Sequence, residues 1–501
     1  MNDFNYTLII IYFVLLAFLS IYGSHRYYLA FLFMKTLDNK RKPGKEFEKL
    51  PPVTIQLPLF NEMYVVERLI DSVVKTEYPK DLLEIQVLDD STDETVEIVK
   101  ARVEKYQKEG FDIKHIHRTN RQGFKAGALE EGMAVAKGEY IAVFDADFIP
   151  TPSFLKKTVH YFTDPKIGMI QMRWGHVNRE YSLLTKLQAI FLDGHFVIEH
   201  TARNRTGRFF NFNGTAGIWR KETIIDAGGW QHDTLTEDLD LSYRAQMKGW
   251  EFVYLPMYEV PAELPVDIIA FKSQQHRWAK GSIQTAKKLL GRIFRSDYPL
   301  KVKIEAIFHL AGNINYLVMI PFSLLILPLI IVRTELDWNK WLIIDIPLFL
   351  LATTSISAFY LLSQKYIFPS WKNTFKYLPF LMGLGIGLSV NNSVAVIEAL
   401  FGHESEFVRT PKFGVEDVGE NWTKKKYRAK KKLLIPSIEL ILGIYFSIAV
   451  YIAFINHMWL VLPFLLLFLY GYLFIAFLSI KSLVEASLKR RKLPKVSSQK
   501  A

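Results

Sequence analysis

Four short motifs carry the chemistry available to this chain: Asp89-Asp90, Asp145-Ala146-Asp147, Thr236-Glu237-Asp238 and Gln274-Gln275-His276-Arg277-Trp278. In the last of these, Gln274, Arg277 and Trp278 fall at i, i+3 and i+4, the spacing that groups side chains on one helix face. An amide, a guanidinium fork and a broad aromatic face suit a phosphate leaving group held beside a sugar ring. Alone, the cluster fits a surface helix with a cation–π contact equally well. Three acidic sites preceding it in order favour the chemical reading.

Asp145 and Asp147 stand two apart where a strand runs into a loop, and a hard divalent cation, Mg²⁺ or Mn²⁺, could be shared between them and a diphosphate. A solvated turn also uses Asp, but Phe144 before the pair and Phe148-Ile149-Pro150 after it argue against exposure. Asp90, followed by Ser91-Thr92-Asp93, reads both as a cap for a helix starting near Asp93 and as a neighbour of a bound nucleotide. In Thr236-Glu237-Asp238, Glu237 can serve the helix start. Asp238 is then the candidate general base for an acceptor hydroxyl. Displacement at an anomeric carbon with a nucleoside diphosphate leaving needs one such base and one cation.

The elements that must position these groups follow from periodicity. Strands are predicted at Val53–Leu57, Glu84–Leu88, Ile113–His117 and Tyr140–Phe144, with helices at Glu62–Lys75, Glu94–Lys108 and Lys125–Ala136 between them. This alternation predicts a doubly wound, Rossmann-like α/β sheet, whose ligands bind beyond the carboxyl ends of the strands. Asp89-Asp90 and Asp145-Ala146-Asp147 each follow a strand and so share that edge. The first strand runs into Pro58-Leu59-Phe60-Asn61-Glu62 without a Gly-x-Gly-x-x-Gly turn, which disfavours a dinucleotide-dependent oxidoreductase.

The 501 residues are 50% hydrophobic with a net charge of +12 and no cysteine, so no disulfide forms and a reducing compartment suits the chain. Apolar sequence is concentrated at the two ends, as expected for an integral membrane protein with a soluble insert. The expected organisation is a transmembrane helix in 1–33, a catalytic domain in 51–302, a transmembrane hairpin in 303–363, an interfacial helix and loop in 376–432, a second hairpin in 433–480 and a basic tail in 481–501. A cleaved signal peptide is disfavoured because Asp3 precedes the first apolar run, with no Lys or Arg before it and no Ala-x-Ala site after it. Arg26, Lys35, Lys40, Arg41 and Lys42 then place the insert in the cytoplasm by the positive-inside rule. The segment Tyr377–Leu400 is apolar but holds Asn391, Asn392 and Glu398, and a basic loop follows it, so it is read as interfacial or re-entrant. These juxtamembrane clusters, facing anionic membrane lipid, account for the positive charge; a nucleic-acid partner is not expected.

With Pro58–Glu62, Gln86–Asp93, Gly123–Leu129, Phe144–Phe148, Asn213–Gly217, Thr236–Asp238 and Gln274–Trp278, the chain resembles the processive family 2 β-glycosyltransferases. Within these it is most similar to the cellulose-synthase-like mannan and glucomannan synthases and their bacterial relatives. The resemblance implies a GT-A fold, inversion at the anomeric carbon, and a nucleotide sugar, GDP-mannose or UDP-glucose, as donor. It implies nucleotide-sugar contacts from Asn61, Glu62, Asp90, Lys125 and Asp145, metal at Asp145 and Asp147, and Asp238 as base. Gln274 and Arg277 would hold acceptor and diphosphate, and Trp278 would stack on the acceptor sugar, whose face is apolar. The product implied is a β-linked polysaccharide, made at the plasma membrane by a multi-pass enzyme with accessory secretion proteins among its partners.

Phe407-Val408-Arg409-Thr410-Pro411-Lys412 is similar to the gating loop of cellulose synthases, with the valine displaced by one position, so Thr410 and Lys412 are the residues carried over. Regulation through a cyclic-dinucleotide-binding domain is not expected, given the short sequence after Ile480. A non-processive enzyme that glycosylates a membrane lipid shares the donor chemistry and is the alternative reading; a non-catalytic channel is a third.

Overall fold

The structure, a computed structural model, describes residues 3–335, 342–403, 409–422, 425–427 and 433–492. A seven-stranded mixed sheet forms the centre of the soluble part, in the order β3-β2-β1-β4-β6-β5-β7. The strands are β1 Val53–Leu59, β2 Leu83–Asp89, β3 Asp112–His117, β4 Tyr140–Val143, β5 Ile167–His176, β6 Gly217–Arg220 and β7 Glu251–Ala262. Their apolar residues are buried on both faces, as parallel strands covered by helices on each side must be. Pro58 sits within β1 because β4 pairs only as far as Gln56, so that side of β1 has no ladder to break there.

Helices α1 Asp3–Lys35, α2 Val66–Val73, α3 Thr95–Lys108 and α4 Phe124–Ala134 follow in order. The first four strands are parallel and alternate with α2, α3 and α4, matching the doubly wound expectation. Beyond β4 the winding changes. β6 runs antiparallel between β4 and β5, which lets the chain return through the Asn213–Gly217 turn to the ligand edge of the sheet. Two further helices complete the site, α5 Glu237–Met247 and α6 Ile268–Arg295.

Among the described residues, six helices are long and apolar enough to cross a membrane: Asp3–Lys35, Ile314–Val332, Ile343–Ile367, Trp371–Leu400, Leu434–Ile455 and Leu462–Glu485. The chain is a multi-pass membrane protein. Trp371–Leu400 differs from the rest. Its apolar window is 67% buried, against 22–39% for the others, and it is divided into helices over Leu378–Gly387 and Ser389–Leu400. Its polar residues have protein partners rather than lipid. The Asn391 amide donates to the Lys272 carbonyl at 2.9 Å, while Glu398 faces His276 at 3.0 Å and Lys280 at 2.9 Å, all three partners on α6. The connection at 336–341 and the tail beyond 492 lie outside the described residues.

Candidate active site

The carboxyl ends of β1, β2 and β4 supply the first side chains. After β2, Asp90 is buried and receives the Arg118 guanidinium in bidentate fashion, Nε and Nη2 each at 2.7 Å. It does not cap α3, contrary to the capping expectation, because Arg118 holds both its oxygens; the helix entry is made by Asp93, whose Oδ1 accepts from the Thr95 amide at 3.0 Å. After β1, Glu62 is buried and accepts from Arg409 Nε at 2.6 Å. Burial pushes its carboxyl up to about 7 despite the opposing Arg409 charge. Asn61 adopts φ +56° and clasps the β2 loop: its amide donates to Ser91 Oγ and its Oδ1 accepts from the Thr92 amide, both at 2.8 Å.

After β4, Asp145 and Asp147 each meet an ammonium. Lys125, on the first turn of α4, donates to Asp145 Oδ1 at 2.5 Å and to the Gly214 carbonyl at 2.8 Å. Burial disfavours the Lys125 charge, but Asp145, Glu237 and Asp238 raise it on balance. Lys412 donates to Asp147 Oδ2 at 2.7 Å and to the Glu263 carbonyl at 2.8 Å. Glu263, buried just after β7, anchors the irregular segment 409–422, a strap beside the cavity, through the amides of Phe413 at 2.9 Å and Gly414 at 2.7 Å. Two carboxylates one residue apart form an all-oxygen donor pair that fits a hard divalent cation with diphosphate oxygens. The two lysines hold that place electrostatically.

The candidate base lies opposite. Asp238, in the first turn of α5, accepts from its neighbour, the Leu239 amide, at 2.8 Å, and Thr236 gives no side-chain cap. Burial and the adjoining Glu237 carboxylate push Asp238 up to about 7, with Lys125 opposing. Glu237 is also raised, chiefly by burial. Gly214 keeps the space in front of Asp238 open. At φ +78° it takes a conformation costly to other residues, and a Cβ there would lie 3.0 Å from Asp238 Oδ2 and 3.2 Å from Lys125 Nζ.

Helix α6 brings Gln274, Arg277 and Trp278 to the same cavity. It approaches the Thr236 loop closely because position 281 is glycine: a Cβ there would stand 2.5 Å from Thr236 Cγ2. Arg277 Nη2 lies 3.5 Å from Thr410 Oγ1, which links the helix to the strap. Glu62, Asp90, Lys125, Asp145, Asp147, Asp238, Gln274, Arg277, Trp278, Thr410 and Lys412 all line one cavity of about 200 Å³. Asn61 is absent from its wall and acts through the β2 loop. Phe407 and Val408 of the gating pattern lie outside the described residues.

Several wall residues escaped the sequence reading. Trp174 and His176, on the last turns of β5, line the cavity, and Trp174 Nε1 and His176 Nε2 have no hydrogen-bond partner among the described residues. Burial and nearby arginines hold His176 well below the usual imidazole range, so it is neutral. Polar residues closing a strand are the signal that could have found them. For Glu263 and Arg409 the signal is thinner, since their partners are distant in sequence.

Residues 51–281 match the profile described as glycosyltransferase like family 2. Glucomannan 4-beta-mannosyltransferase 1 of Oryza sativa subsp. japonica is 38% identical over 73% of this chain and 70% of its own length. The chain belongs to the family 2 glycosyltransferases. Glucomannan 4-beta-mannosyltransferase 7 of Arabidopsis thaliana is 36% identical over 69% of this chain and 66% of its own length, and number 2 of the same plant is 39% identical over 63% and 62%. Among solved structures, a mannosyltransferase from Pyrobaculum calidifontis, in complex with GDP-Man and Mn²⁺, has a TM-score of 0.53 at 19% identity. It covers 78% of this chain and all of the other. That likeness shows the fold, a GT-A α/β domain, here flanked by membrane helices. This glycosyltransferase therefore presents its family motifs on one edge of a mixed sheet.

Proposed function

We propose that this glycosyltransferase transfers mannose from GDP-mannose, with inversion, to a growing β-linked polysaccharide. The observation that carries the reading is the shared cavity: a base, an anion-binding set and an aromatic platform on α6 all face it. The relatives named as glucomannan 4-beta-mannosyltransferases support mannose over glucose as the sugar. Asp238 takes the proton of the acceptor hydroxyl as that oxygen attacks the anomeric carbon, and its elevated pKa makes it a competent base near neutrality. Lys125, Arg277 and Lys412 stabilise the charge developing on the diphosphate. Asp145 and Asp147 would hold Mg²⁺ or Mn²⁺, which supplies further charge neutralisation at the leaving group.

Trp278 carries the terminal acceptor sugar. An aromatic face holds a sugar without a fixed hydrogen-bond register, which suits repeated addition to a sliding polymer. Asp90 and Glu62 face the nucleotide, with Asn61 shaping their loops. The basic flanks of the first helix support a cytoplasmic catalytic domain at the plasma membrane, with Trp371–Leu400 as its interfacial floor and Thr410 and Lys412 brought to the cavity by the strap. Membrane lipid surrounds the remaining helices.

Membranes containing the protein, supplied separately with labelled GDP-mannose and UDP-glucose, test this. Labelled polymer degraded by a β-mannanase is the expected product of the first donor. A product confined to a monoglycosylated lipid, with donor in excess, overturns the polysaccharide reading. Polymer from UDP-glucose alone overturns the donor.

A further inference from the structure

A second group of ligand-type side chains lies outside the cavity wall, at the carboxyl end of the lateral edge strand β3. Strand β3 is the edge strand, and its His115 and His117 are two apart, so they share one face. The register pairs Asp89 with His117 and Val87 with His115, which brings both imidazoles to the carboxylate that ends β2. Asp89 Oδ2 lies 2.9 Å from His115 Nε2 and 3.5 Å from His117 Nδ1. Ligands on a tetrahedral zinc-like ion, at bonds of about 2.0–2.2 Å, stand about 3.3 Å apart. The two distances from Asp89 Oδ2 bracket that spacing, and all three atoms lie within 4.8 Å of one another.

The surroundings favour an ion at this point. Asp89 is fully buried and its second oxygen accepts from the Ser91 amide at 2.9 Å, a bond that fixes the carboxylate with Oδ2 toward the two rings. Arg118, the nearest guanidinium in sequence, spends its donors on Asp90, Glu131 and the carbonyls of Gln122 and Phe124 instead. The His117 side chain is one-third exposed, so the outer coordination position opens to solvent. Two imidazoles and one carboxylate suit zinc, cobalt or nickel; magnesium and calcium favour all-oxygen sets.

We infer that Asp89, His115 and His117 form a reversible site for a borderline divalent transition metal, separate from the Asp145–Asp147 pair. An ion there ties the end of the edge strand β3 to the end of β2, one residue from Asp90. Its three protein ligands leave a coordination position for water, unlike the closed four-ligand set of a structural zinc.

The test uses the full-length protein, purified in detergent, stripped with chelator and saturated with Mg²⁺. Co²⁺ is then titrated while its visible d–d bands are followed. One Co²⁺ per chain, with the intense bands of a low-coordinate nitrogen-containing site, is expected. His115→Ala and His117→Ala should each weaken binding at least tenfold, whereas Asp145→Asn should leave it unchanged. His117 is exposed enough for its variant to fold, and an unaltered circular dichroism spectrum checks this. Absence of stoichiometric binding overturns the site, as does binding that survives both histidine substitutions or is lost with Asp145→Asn.

Discussion

The Lys412 ammonium stands 2.7 Å from the Asp147 carboxylate, so a residue of the strap occupies the charge position that a leaving-group cation would claim. Strap and metal therefore compete for one oxygen. A charge-assisted hydrogen bond is worth about 1.5–3 kcal/mol. Lys412→Ala should thus tighten Mn²⁺ binding by roughly ten- to a hundredfold in the absence of donor, measured by calorimetry, while lowering turnover. Chelation should abolish transfer in both proteins, and Mg²⁺ or Mn²⁺ should restore it. Unchanged Mn²⁺ affinity in the variant would remove the competition from the account.

Asp238→Asn should keep donor binding and lose transfer by roughly 10²–10⁴-fold, the usual contribution of a general base. The pH profile follows with a definite sign. A base must be ionised to accept a proton, and Asp238 titrates at about 7. Turnover at saturating donor should therefore rise with pH through about 7 and fall on the acid side. A profile flat from mildly acid to mildly alkaline pH, or a near-active Asn variant, would move the base to Glu237.

Trp278→Ala removes a stacking platform worth about 0.5–1.5 kcal/mol beyond simple area burial. Polymer should disappear while hydrolysis of donor to free sugar continues, because Asp145, Asp147 and Arg277 still hold the diphosphate. Product sizing by gel filtration separates these outcomes. Normal polymer length would mean that the acceptor rests elsewhere.

Gly281→Val tests how the base is set against the platform. The new side chain meets Thr236, where even a Cβ would lie 2.5 Å from Cγ2, and pushes α6 away from the loop that carries Asp238. A displacement of about 1 Å can cost on the order of 10²-fold in rate. Turnover should fall by that order with a smaller loss of donor affinity, since Arg277 moves with α6 while Asp90, Lys125 and Asp145 lie on other elements.

Asp89-Asp90 and Asp145-Ala146-Asp147 were legible because each follows a strand whose pattern is local: Leu83–Asp89 and Tyr140–Val143 read as buried β from their own residues. The α6 motif was legible for the same reason, its spacing being that of one helix face. Asp90 was misread as a cap because its partner, Arg118, belongs to another strand end, and a run of Asp, Ser and Thr looks like a helix entry from sequence. Arg409 occupies a place where the family pattern has valine nearby, yet its partner Glu62 is 347 positions away. The antiparallel β6 was unforeseen because four residues pairing on both sides give no alternation to read.

Glu398 joins two imperatives in one side chain. By holding His276 and Lys280, which bracket Arg277 and Trp278 on α6, it fastens the acceptor platform to the Trp371–Leu400 segment. The platform is thus part of the membrane-side chassis. In an enzyme that lengthens its product one sugar at a time, a platform so mounted is the stator: the product is the part that travels, and each added unit must be shifted relative to a fixed Trp278.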